Sequence, residues 1–260
     1  MSDAGELLRL HDEQVRGTIA GRLPKSWIPS WDGPVLRVTT QTRGIVFGRD
    51  LAGVPGAELD ALIARAVDFY AAKGLSFEWK TYAHDRPDLP ARLAAAGFVE
   101  DPTETVVVGR AEDLVDAGVA PDGITIRITT APADLRRIAE LQSEVWGSDW
   151  SWLAEDLADR IASGPDDIVV LVAEAGATVV STAWLVILPG TEFASLWGGS
   201  TRLGLRGRGI YRALVAHRAR IAVERGIHYL WVDASDDSSP ILQRLGLRAI
   251  STTTPWVWTP

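Results

Sequence analysis

The sequence predicts an α/β (α+β) chain of two similar halves, each a mixed, mainly antiparallel sheet flanked by helices. Three observations predict it. The segment "KGLSFEWKTYAHD" from Lys73 is echoed by "RGIHYLWVDASDD" from Arg225, and one offset of 152 positions pairs Gly74 with Gly226, Phe77 with Tyr229, Trp79 with Trp231 and Asp85 with Asp237. Helix, strand, helix and strand recur in the same order around both copies, which a duplicated unit explains more economically than one large sheet. A chain of 260 residues that is 47% hydrophobic has enough apolar side chains for one or two cores of ordinary size.

In the first half, "AELDALIARAVDFYAAK" places Leu59, Ile63, Ala66 and Tyr70 on one helical face, with Gly74 where a left-handed cap belongs. The echoed strand follows, then a short helical turn "ARLAAAGF" and a strand "ETVVVGR". The polar, turn-rich stretch 112–123 marks a boundary, so the domains are expected at 1–115 and 120–260.

The second half opens with "GITIRITT", whose Ile124, Ile126 and Ile128 alternate as in a half-buried strand. A helix is expected from Thr130, with Pro132 in its first turn, and a second over "SWLAEDLADRIASG". "DIVVLVAEAG" and "ATVVSTAWLVILPG" read as antiparallel strands joined through Gly176. The strand "EFASLWGGST" then leads into a glycine-rich turn and a helix carrying Ile210, Leu214 and Ile221 on one face. The turn "ILQRLGL" and the strand "STTTPWVW" complete the copy.

Composition narrows the function. The net charge of −8, without a long basic run, argues against a nucleic-acid partner. With no cysteine, disulfides, thiolate metal sites and a cysteine nucleophile are excluded, and the four scattered histidines offer no metal-ligand spacing. The amino terminus is unlike a secretory signal and no window reaches the ~18 apolar residues of a membrane span, so the chain is expected to be soluble and cytoplasmic, with no membrane partner.

The turn at Gly204, Gly207 and Gly209 is the sharpest local signal. Unpaired amides at a helix start, the helix dipole and glycines that let a ligand approach the backbone together make an anion site. Arg206, Arg208 and Arg212 invert the usual preference for acids in a first turn, which calls for a negative ligand. Neither the nucleotide-triphosphate loop nor the dinucleotide fingerprint is present. A tight turn needing glycine for geometry alone is the plain alternative.

The residues "RGRGIYRAL" resemble the acetyl-CoA pyrophosphate loop of the GNAT N-acetyltransferase superfamily, Gln/Arg-x-x-Gly-x-Gly/Ala, with Arg206 in the first position and Gly209 in the fourth. Tyr211 departs from the Gly or Ala of the sixth. "SSPILQRLGL" resembles the helix and turn that end the same domain. The resemblance covers residues 123–260, and 30–110 look like an eroded second unit in which Val54, Pro55 and Ala57 stand opposite Arg206, Gly207 and Gly209. It implies a tandem GNAT-like pseudo-dimer in which only the second half binds acetyl-CoA as co-substrate. The pyrophosphate would take the amides of Gly207, Arg208, Gly209, Ile210 and Tyr211, and the pantetheine arm would pair with Gly199, Ser200 and Thr201. Ser238 would bond that arm, or simply cap its helix.

Acetyl transfer to an amine of pKa about 10 needs a proton acceptor, backbone donors for the charge developing on the carbonyl oxygen, and a proton for the leaving thiolate. Leu242 stands where relatives carry an acidic tyrosine, and Ser195 and Trp231 where many carry a basic glutamate. Glu192, Asp233 and Asp236 are the nearest substitutes. Trp146, Trp150 and Trp152, with Glu144 and Asp149 beside them, form either an acceptor wall suited to a cationic amine or an interface between halves. The expectation is an acetyl-CoA-dependent N-acetyltransferase acting on a primary amine of a small molecule, as a monomer or homodimer. A non-catalytic acyl-CoA-binding or interaction module is the alternative.

Overall fold

The computed structural model describes residues 3–260. Two compact units account for it: residues up to Val107 with Asp233–Pro240 and Ala249–Pro260, and Val108–Val232 with Ile241–Arg248. Packing therefore does not follow a single cut between 115 and 120, because most of the last strand joins the first unit.

The first unit runs through α1 (Ala4–His11), β1 (Ile28–Asp32), β2 (Val35–Thr39), β3 (Gly44–Gly48), α2 (Gly56–Ala71), β4 (Phe77–Tyr82), α3 (Leu89–Ala95), β5 (Val99–Glu100) and the start of β6 (Glu104–Arg110). β1, β2 and β3 form an antiparallel meander, and β4 joins β3 in parallel through the α2 crossover. Strict alternation in β4 buries Phe77, Trp79 and Thr81 on one side. The matching face of α2 presents Leu59, Leu62, Ile63, Ala66 and Tyr70 to the same core. Burying the Tyr70 hydroxyl is tolerated because it donates to Val38 O (2.9 Å), and burial pushes its pKa up to about 12.

The second unit begins with the remainder of β6 and continues through β7 (Ile124–Ile128), α4 (Pro132–Trp146), α5 (Leu153–Ser163), β8 (Ile168–Ala175), β9 (Thr178–Ile187), β10 (Phe193–Thr201), α6 (Ile210–Glu224) and β11 (Tyr229–Ala234). β7 to β10 are successively antiparallel, and β11 lies parallel to β10. The near-continuous apolar run of β8 is buried on both faces, as a central strand requires. Leu135, Ile138 and Leu141 of α4 and Leu153 and Leu157 of α5 close one side of that core. Each is worth at most about 1.5–3 kcal/mol of burial.

The last elements are α7 (Ser239–Arg244) and β12 (Arg248–Trp258). β12 pairs antiparallel with β4, from Thr253 opposite Tyr82 to Trp258 opposite Phe77, and also with β5. The strand expected to complete the second domain thus completes the sheet of the first unit. Its alternating pattern specifies a strand but not its neighbour.

Candidate functional site

The site is built on β10. Its parallel pairing with β11 runs only from Phe193 opposite Tyr229 to Ser195 opposite Trp231, while β10 continues to Thr201. Beyond Ser195 one edge of β10 is therefore open. Pairing with β9 on the other edge continues to Thr201, with a shift in register between Trp197 and Ser200. This bulge holds Gly198 and Gly199, and both glycines are required by their neighbours. A Cβ on Gly198 would overlap the Trp184 ring, and one on Gly199 would lie 2.6 Å from Tyr211 Cε2.

The carbonyls around the bulge are consumed within the unit. Arg218 Nη1 donates to Trp197 O (3.3 Å), and Gln142 Nε2 and Thr182 Oγ1 both donate to Gly198 O (3.0 Å each). Ser181 Oγ donates to Ser200 O (2.6 Å), and Arg206 Nε to Thr201 O (3.1 Å). A trans peptide sets its N–H opposite its C=O, so fixing these carbonyls fixes the amides of 198 and 199 pointing away from the groups that hold them.

At the end of β10 the chain turns at Leu203–Leu205 and enters α6 through Gly207 (φ +78°) and Gly209 (φ +90°), both in the region glycine favours. Arg206 N donates to Leu203 O (3.3 Å) and Ala213 N to Gly209 O (3.0 Å). The amides of 207–212 between them have no backbone partner among the described residues. α6 has no acidic residue in its first turn, and Arg208 and Arg212 are exposed without an ion pair among the described residues. A run of free donors, a positive helix end and two uncommitted guanidinium groups make a site for a multiply charged anion.

Residues 135–246 match the model of the acetyltransferase (GNAT) family. Over those residues the chain is similar to a GNAT acetyltransferase domain. No curated protein matches the sequence. The fold is similar to that of a GCN5-related N-acetyltransferase from Kribbella flavida, at 17% identity and a TM-score of 0.73 over 100% of this chain and 96% of that one. A tandem GNAT protein from the clavulanic acid biosynthesis pathway, solved without AcCoA, is similar over 98% of this chain and 94% of its own, at 14% identity and a TM-score of 0.66. A GCN5-related N-acetyltransferase from Sphaerobacter thermophilus aligns over 99% and 92%, at 16% identity and a TM-score of 0.64. All three alignments span both units.

Within residues 135–246, Trp146 at the end of α4 donates from Nε1 to Gln142 Oε1 (2.8 Å) and Ser200 Oγ (3.2 Å), which brings one expected wall residue onto the expected arm-binding strand. Trp150 and Trp152 stack on each other with centroids 5.4 Å apart, and Trp150 also packs on the core under α4 and α5. Tyr211 resolves its own departure from the loop pattern: its ring takes the space that Gly199 leaves, and burial raises its pKa.

The catalytic candidates fare differently. Glu192 precedes the first residue of β10 and bonds His228 Nδ1 (2.8 Å). At about 3.3 Å per residue the strand carries it on the order of 20 Å from Gly198 in the bulge. Asp233 and Asp236 are grouped with the first unit. Asp233 is committed to the Lys80 ammonium at 2.5 Å. Burial disfavours that ammonium, but the Asp233 carboxylate more than offsets it, and the lysine pKa ends above its ordinary range. Asp236 is an exposed residue in the turn after β11. Ser238 bonds locally, its amide to Ser235 O (3.0 Å) and its hydroxyl to Ser235. Among the described residues no group of three His, Cys, Asp or Glu is placed to hold a metal ion, and no helix is long and apolar enough to cross a membrane.

Sequence reasoning missed Gln142, Ser181, Thr182 and Arg218. The signal for Gln142 was its position on the buried face of α4, where an amide must find partners.

The equivalent turn of the first unit is closed. It leads from β3 to α2, whose helix begins after Pro55 with Glu58 in the first turn. Arg86 donates to Leu51 O (3.5 Å) and Val54 O, and Arg92 to Gly56 O (3.1 Å). Arg86 is ion-paired with Asp88, and Arg92 with both Asp88 and Asp60.

Proposed function

We propose that this protein is an N-acetyltransferase that moves an acetyl group from acetyl-CoA to a primary amine of a small molecule, using the second unit alone. The observation that carries the reading is the open edge of β10 beyond Ser195 ending at a helix start with free amides at 207–212. The pyrophosphate would rest on the amides of Gly207, Arg208, Gly209, Ile210 and Tyr211, with Arg206 and Arg208 supplying charge. The pantetheine arm would run along Gly199, Ser200 and Thr201, adding to β10 as an extra strand does. When bound, acetyl-CoA supplies the activated acyl group. The chain supplies orientation and the backbone donors at 198 and 199, and holding the two reactants together provides much of the acceleration. Trp146, Trp150 and Trp152 serve as the acceptor wall.

A second reading, a non-catalytic acyl-CoA-binding module, is favoured by one observation: Glu192 and Asp233 are both committed elsewhere, and buried Leu242 replaces a proton-donating tyrosine. Thermal-shift titrations with acetyl-CoA and with NADH test the cofactor, and stabilisation by acetyl-CoA alone is expected. Thiol release with a panel of amines then distinguishes an enzyme from a binding module. Arg206→Glu is expected to abolish binding; retained affinity would refute the placement of the pyrophosphate.

A further inference from the structure

Arg218, two helical turns into α6, is 1% exposed and forms no ion pair among the described residues. Its Nε donates to Leu214 O (3.1 Å), its Nη1 reaches Trp184 O (3.4 Å) on β9 and Trp197 O (3.3 Å) on β10, and its Nη2 is buried without a partner. Burial lowers its pKa to about 10, which leaves it charged at neutral pH. The phenol of Tyr211 is the titratable group that influences it. An unpaired charge in a protein interior is among the more costly features a fold can carry, and an apolar side chain would fill the same helix position without that cost. The three carbonyls soften the cost but bring no negative charge.

The place of this charge is specific. It sits behind the 197–198 peptide at the beginning of the bulge, on the stretch of β10 whose far edge is open. Held by its carbonyl, that peptide must point the Gly198 amide the opposite way. A cation bonded to the carbonyl also polarises the peptide, making its N–H a stronger donor.

We infer that Arg218 is a positioning residue for acyl transfer: it aims and strengthens the Gly198 amide, which receives the carbonyl oxygen of the acyl group. The inference rests on the acetyl-CoA reading given above. In the transfer, the amine nitrogen bonds to the acyl carbon and the C–S bond breaks with its electron pair leaving on sulfur. The nitrogen sheds one proton to solvent and the sulfur takes one up. The carbonyl oxygen gains negative charge only in between, and there a fixed, buried positive charge acts without reorganisation.

The test uses the full chain with Arg218→Met, which keeps most of the side-chain volume, and Arg218→Gln, which keeps a neutral donor. Isotope-edited infrared spectra of bound acetyl-CoA carrying a 13C-labelled carbonyl give a readout apart from turnover. In wild type the carbonyl band is expected below its frequency in solution, and in Arg218→Met it returns toward the solution value. Turnover should fall about tenfold or more with KM for acetyl-CoA changed less than twofold. The melting temperature of Arg218→Met should change little, because removing an uncompensated charge offsets the lost donors to the Trp184 and Trp197 carbonyls. If Arg218→Met does not fold, Arg218→Gln carries the same comparison and should lose most of the band shift. A wild-type band shift in the folded variant overturns the inference. Failure of wild type to bind acetyl-CoA at all overturns the reading beneath it, and titration calorimetry registers that separately.

Discussion

The two units present the same local design twice, a strand parallel to its neighbour, a turn and a helix, and they use it in opposite ways. In the first unit the turn before α2 is consumed by its own chain. Arg86 and Arg92 donate to its carbonyls, Asp88 and Asp60 neutralise them, and Glu58 provides the acid that a helix dipole prefers. In the second unit Gly207 and Gly209 open the turn before α6, the first helical turn has no acid, and Arg208 and Arg212 remain uncommitted. The difference teaches that a binding loop is recognised by what it leaves unsatisfied. A turn whose carbonyls are held by ion-paired arginines and whose helix starts with an acid offers an anion no spare charge, whereas one with free amides and unpaired guanidinium groups awaits an acceptor.

The contrast can be broken most sharply at Gly209. Gly209→Val places a β-branched residue at φ +90° and should reduce acetyl-CoA affinity on the order of 10²-fold, measured by calorimetry. Pro55→Ala, at the corresponding helix start in the first unit, should change that affinity less than twofold.

Next in size is Arg86→Met, which leaves carbonyls of the closed turn without donors. It should lower the unfolding free energy by about 2 kcal/mol in denaturant titrations while leaving acetyl-CoA affinity intact. The reciprocal change, Arg208→Ala, should weaken affinity about tenfold, flatten its salt dependence and leave the melting temperature unaltered.

The smallest effect concerns Glu104, whose pKa burial raises to about 7 from an ordinary 4.5 even though Lys80 opposes the rise. The folded state holds this proton more tightly than the unfolded one, so the contribution is fully present below pH 4.5 and is lost as pH rises through 7. Glu104→Gln should therefore match wild type at low pH and exceed its stability above pH 7 by about 1 kcal/mol, after allowance for solvent screening.

Much of this was legible in the sequence. The glycine turn, the helix behind it and the strand before it are local patterns, and the echo at offset 152 correctly placed β4 against β11. Helix starts at Gly56 and Ile210 differ by 154, so the offset slips by two across the turn and misaligned Val54 and Pro55 with the loop residues. What was not legible is non-local. β12 reads as a strand, but nothing in "STTTPWVW" names β4 as its partner. Arg218 reads as one more cation on a helix with many, and only the packing of α6 against β9 and β10 buries it. Glu192 is close to the glycine strand in sequence, but its bond to His228 depends on a residue 36 positions away.

The central claim is that one of the two turns binds and the other cannot. Titration calorimetry of the wild-type chain with acetyl-CoA tests it directly. One site per chain, lost in Gly209→Val and kept in Arg86→Met, is the predicted result; two sites per chain, or none, would contradict it.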